Sequence, residues 1–152
     1  MSLRFWLATA MVFSLGAPAS AQKGDAECSY IEIAATKTDK PAMDPDLKPL
    51  EKKFKKAPFS AWNNFKKLAA GTASLTKNKS DAIKLKQGAA SLMLRDRSEK
   101  RVELTVTMDG ADGKRVLEAK PAVKAGDWLM LGGPGEKGDK DDAGHILALT
   151  CK

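Results

Sequence analysis

The chain has 152 residues, with 26 lysines and arginines against 19 acids, a formal net charge of +7, one histidine and two cysteines. That length supports one domain with a real core rather than two. Two cysteines and a single distant histidine match no recognised zinc-ligand spacing.

The first 22 residues read "MSLRFWLATAMVFSLGAPASAQ". Arg4 is a short positive region, residues 5–15 form an apolar run, and Ala19-Ser20-Ala21 gives a small-x-small cleavage site before Gln22. A membrane-spanning helix needs roughly 20 apolar residues, and Gly16 and Pro18 interrupt this run well short of that. The expectation is a signal peptide over residues 1–21, cleaved between Ala21 and Gln22, and a periplasmic or extracellular product without a transmembrane segment. Cys28 follows Asp-Ala-Glu rather than the small and apolar residues of a lipid-anchor site. In an oxidising compartment Cys28 and Cys151 are expected to form one disulfide.

Residues 28–35, "CSYIEIAA", alternate, with Ile31, Ile33 and Ala35 on one face. The terminal "HILALTC" is a second apolar run of strand length, and pairing the two would bring the cysteines together. Residues 44–56, "DPDLKPLEKKFKK", predict the one helix. Asp44 stands at the N-cap, Pro45 at the first position, and Leu47, Leu50 and Phe54 on one face. Pro49 shortens that helix and Pro58 ends it.

Short strands follow. "NNFKKLAA" leads into Gly71, "DAIKLK" turns through "QG" into "ASLMLRD", and "RVELTVTMD" has strict period two at Val102, Leu104, Val106 and Met108. "DGADG" closes a hairpin onto "KRVLEAK", and "GDWLMLGG" and "GHILALTC" complete the set. The pattern predicts a mainly β single domain over residues 22–152. It is an antiparallel β-sandwich or partly open barrel of about eight strands with one short helix in its N-terminal half.

Few motifs point to catalysis. Gly133, Gly135 and Gly138 spell a literal GxGxxG, yet an acidic turn and a strand follow where a dinucleotide site needs a helix. Asp139, Asp141, Asp142 and Gly144 fit a calcium-binding register incompletely, because Ala143 and Thr150 fall at ligand positions. A solvated hairpin loop is the stronger reading. His145 is expected at a strand mouth or on the surface rather than in a catalytic set, since no nucleophile motif accompanies it. No metal, cofactor or enzymatic activity is expected.

The basic excess is local. Residues 48–67 hold seven lysines and one glutamate, interleaved with Phe54, Phe59, Trp62 and Phe65. The aromatics, with Leu68, are expected to enter the core and to plug one open edge of the sandwich, because only 6% of the chain is aromatic. Lys52, Lys53, Lys55, Lys56, Lys66 and Lys67 are then the candidate anion-binding surface. Lysine acts as a point charge rather than a planar fork, which favours diffuse attraction over sequence-specific nucleic-acid reading. The partners this implies are anionic lipid, lipopolysaccharide or acidic polysaccharide. The alternative is an envelope protein docking on a sheet edge or on the Gly-rich loop.

From Pro58 onward, "PFSAWNNFKKL", two strand pairs, "LMLGGPG" and the final "GHILAL" resemble small exported bacterial β-rich proteins of unknown function. The resemblance implies a β-rich envelope or secreted domain and supplies no active site.

Overall fold

The computed structural model describes residues 24–134 and 143–152. The expected signal peptide, its cleavage point between Ala21 and Gln22, and Asp139, Asp141 and Asp142 lie outside the described residues. Ten strands occur among the described residues: β1 Ala26–Thr36, β2 Ala42–Met43, β3 Asn64–Leu75, β4 Ser80–Leu85, β5 Gly88–Arg97, β6 Arg101–Asp109, β7 Arg115–Ala119, β8 Ala122–Lys124, β9 Trp128–Pro134 and β10 Gly144–Cys151. The protein is a mainly β sandwich, as the sequence predicts. The two strands beyond the expected eight are the two-residue β2 and the three-residue β8.

Sheet A has the order β2-β3-β1-β10-β9. All its pairings are antiparallel except β2 with β3. Sheet B runs β4-β5-β6, and β7 and β8 then follow one another along the far edge of β6. Proline has no N–H to give a ladder, so the chain breaks at Pro121, whose carbonyl still accepts the Leu104 N–H at 2.9 Å.

The main core lies between the sheets. Leu92, Leu94, Val102, Leu104, Val106 and Met108 from sheet B meet Ala26, Cys28, Leu75, Leu147, Leu149 and Cys151 from sheet A. The period-two pattern of β6 therefore buries one face and leaves the other to solvent. Sheet A differs, because its second face is also covered. Ile33, Ala35, Phe65, Met130, Ile146 and Ala148 meet Leu47, Leu50 and Phe54 from the helical segment. That segment covers a sheet face, where the sequence suggested it would plug an edge.

The expected helix is mostly not α. Pro45–Leu50 winds as a 3-10 helix with Pro49 inside it, and α1 covers only Glu51–Phe54. Proline at the fifth position removes an intrahelical donor and crowds the preceding turn, which accounts for the shortening. Leu47, Leu50 and Phe54 still share the inward face, at 0%, 0% and 4% exposure. Asp44 makes no side-chain cap bond. Its N–H donates to the Phe65 carbonyl at 3.0 Å and its Oδ2 accepts the Lys67 N–H at 2.7 Å, so it finishes the edge of β3 instead.

Strands β1 and β10 pair with Cys28 opposite Cys151, and the disulfide joins them. The neighbouring Glu27 and Lys152 exchange both backbone hydrogen bonds, at 3.0 and 2.9 Å. The cysteines thus occupy the non-hydrogen-bonded position, where antiparallel strands approach most closely. Strand β3 continues through Gly71 because the Tyr30 ring lies over that glycine; a Cβ there would sit 2.6 Å from the Tyr30 hydroxyl.

Candidate functional site

The structure divides the six candidate lysines. Lys52, Lys55 and Lys56 are exposed and Lys53 is half-buried, all in α1 and the turn after it. Lys67 shares that side of sheet A and pairs with Asp46 of the 3-10 segment. Lys66 pairs across the ladder with Ala34, which stands between the inward-facing Ile33 and Ala35. Side chains alternate along a strand and cross-strand partners share a face, so Lys66 points to the opposite side. Exposed Lys48, on the 3-10 segment, belongs with the helical group instead.

Partners separate these lysines further. Lys55 pairs with Glu51 at 3.2 Å, one turn earlier, and such an exposed pair contributes little energy. Among the described residues, Lys48, Lys52, Lys53 and Lys56 make no ion pair. The helical layer thus carries four lysines that are engaged in no ion pair among the described residues.

Beside them lies a groove of about 540 Å³, bounded by Pro41, Ala42, Met43, α1, the start of β3 and the turn between them. Its floor is the pair of Phe54 and Phe65, with stacked rings whose centroids are 3.9 Å apart. Half-buried Met43 and Trp62 form its walls, and exposed Ala42, Lys55 and Ser60 its rim. The carboxamide of Asn63 also lines it but is occupied elsewhere: Oδ1 accepts the Thr38 N–H at 2.8 Å and Nδ2 donates to the Thr38 carbonyl at 2.7 Å. Phe54 and Phe65 enter the core beneath sheet A as expected, Phe59 and Trp62 pack half-buried beside them, and Phe54, Trp62 and Phe65 also line the groove.

His145 stands at the mouth of a strand, as expected, being the second residue of β10, but it is not on the surface. It is 1% exposed, within β10, and its Nε2 is 2.9 Å from Oε1 of Glu32, which is 0% exposed on β1. Glu32 also accepts the backbone N–H of Lys86 at 2.7 Å and of Gln87 at 2.9 Å, in the turn between β4 and β5. Burial would push the Glu32 carboxyl up, but these three hydrogen bonds together outweigh it and hold the group below the ordinary value of 4.5. An ionised carboxylate only accepts, so Nε2 of His145 carries the proton it shares. The pair fastens sheet A to a turn of sheet B and borders no part of the groove. Glu32 was not singled out from the sequence. The available signal was an acid set between Ile31 and Ile33, midway along a strand that proves to be covered on both faces.

The described glycines of the Gly-rich run lie in strands, and two of them make room for rings. Gly144 of β10 lies under the ring of Trp62, and a Cβ on Gly132 would be 3.1 Å from Phe59. Gly133 is a residue of β9 facing Val116 of sheet B, while Gly135 and Gly138 are outside the described residues. Among the described residues, no three His, Cys, Asp or Glu side chains gather to hold a metal ion. None of the described helices is long and apolar enough to cross a membrane. Comparison with family models, curated proteins and solved structures gave no match to this chain.

Proposed function

We propose that the protein is an exported, non-catalytic binding module of the bacterial envelope, which engages anionic surfaces through its helical layer. The observation that carries this reading is the set of exposed Lys48, Lys52 and Lys56 with half-buried Lys53, all without ion-pair partners among the described residues. A lysine near an anionic membrane surface contributes about 1 kcal/mol at short range, so four acting together suffice for reversible attachment. The same charges would attract lipopolysaccharide phosphates or an acidic polysaccharide. Export is supported by the leader-like first 21 residues and by a disulfide that belongs to an oxidising compartment.

The test is binding to vesicles of anionic and of zwitterionic lipid across a salt series, with lipopolysaccharide and heparin alongside. The expected result is anion-selective binding that falls as salt screens exposed charge. Absence of binding at low salt would refute it.

A second reading rests on a different feature. Among the described residues, no strand lies on the outer side of residues 66–75 of β3, since β2 covers only Asn64 and Phe65. An envelope protein adding a strand there would make this an adaptor. Salt would then matter little, and the α1 lysines not at all.

A further inference from the structure

We propose that the groove beside α1 receives the alkyl chain of a long-chain carboxylate, a free fatty acid, with its head group held at Lys55. The proposal deepens the surface-binding reading, on whose cationic layer it rests for the head group.

The chemistry of the lining selects the ligand class. Phe54 and Phe65 close the floor at 4% and 6% exposure, and Met43 and Trp62 flank them. Asn63 is committed to Thr38 through both its carboxamide atoms, and Glu51 is committed to Lys55. The interior therefore offers no array of free donors and acceptors for a sugar or a nucleotide, whose polar groups would be left unpaired. An alkyl chain asks for none. Its volume of about 540 Å³ lies in the range of small-molecule sites. The methionine wall can adapt to a flexible chain.

Charge complementarity selects the sign of the head group. Lys55 lines the groove, and Lys52 and Lys56 stand exposed on the same helical turn and its exit. Glu51 is the one acid of the lining, and Lys55 already answers it. Lys55 and Glu51 balance within the lining, so the positive excess that a carboxylate bridged to Lys55 meets is that of Lys52 and Lys56, and it repels a cationic head group of equal chain length.

Isothermal titration of the exported, oxidised protein with dodecanoate, decanoate and octanoate below their micellar concentrations tests this. Saturable one-to-one binding is expected, weakening about three- to fourfold for each methylene removed. Ala42→Phe, at the exposed rim, should reduce dodecanoate affinity at least tenfold, and Lys55→Gln severalfold; Ser60→Phe is the second blocking variant should β2 be disturbed. Dodecyltrimethylammonium should bind at least tenfold more weakly than dodecanoate. No binding of dodecanoate by the wild type, affinity independent of chain length, or full affinity in both blocking variants would each overturn the proposal. So would a wild-type dimer that Ala42→Phe dissociates and dodecanoate does not, since the groove would then hold a second copy of the chain. Vesicle binding preserved in Ala42→Phe while dodecanoate binding is lost supports the groove and leaves the surface reading standing. Dodecanoate binding without any vesicle binding supports the groove and refutes the surface reading alone.

Discussion

Sheets A and B have five strands each, and their outer faces have opposite fates. Sheet B presents half-buried Ser91, Met93, Thr105 and Thr107 on a face that no other element among the described residues covers, and its strands alternate accordingly. Sheet A is covered by the helical segment, and β10 is buried along nearly its whole length. The difference shows where a small domain can place function. The outer face of sheet B carries serine, threonine, Met93 and the ion pairs of Glu103 with Arg95 and Arg101, whereas the layer over sheet A brings lysines, aromatics and a groove to one place. That layer is short helix and turn, held to the sheet mainly by Leu47, Leu50 and Phe54, so it can vary without disturbing the two-sheet core.

The largest effect on this contrast should come from the link between the sheets. Glu32→Ala leaves the buried His145 without its partner and the turn N–H groups of Lys86 and Gln87 without an acceptor, and should destabilise by about 3–5 kcal/mol in chemical denaturation. The pH dependence has a definite sign. A carboxyl held below its ordinary value of 4.5 adds stability that is fully present above that value and is lost as pH falls through the folded-state value. The wild type should therefore lose this increment on acidification below about pH 4.5, the unfolded glutamate range. Glu32→Ala should lack that part of the acid dependence. Next comes the disulfide: replacing Cys28 and Cys151 together by serine should cost about 2–5 kcal/mol, because the closed loop spans most of the chain. A paired substitution then compares the two cores. Leu104→Ala, between the sheets, should cost about 3 kcal/mol globally, and Leu47→Ala, under the helical layer, nearer 2 kcal/mol. Hydrogen exchange should find the second loss concentrated at residues 45–61, by local opening. Smallest of all in stability, the combined change of Lys52, Lys53 and Lys56 to glutamine should shift it by less than about 0.5 kcal/mol, as exposed substitutions do, while sharply reducing binding to anionic vesicles.

The sequence made sheet B legible and sheet A only partly so. A strand with one wet face advertises itself by period two, as Val102, Leu104, Val106 and Met108 do. A strand covered on both sides has no such period, and "HILALTC" reads only as an apolar run. The cysteines repaired that gap, because joining them required β1 beside β10 in the register that is found. The six-lysine surface was legible as composition but not as geometry. Lys66 and Lys67 are adjacent in sequence and therefore on opposite faces of a strand, and a bulge beside the pair then shifts the register between Glu32 and Ile33. Both the groove and the Glu32–His145 pair depend on contacts between distant segments, which no local pattern reports.

The most direct measurement is hydrogen exchange of the oxidised protein with and without anionic vesicles at low salt. New protection at residues 45–62, with sheet B unchanged, is the result this account predicts. Protection along the outer edge of β3 or the outer face of sheet B, with the helical layer unaffected, would contradict it.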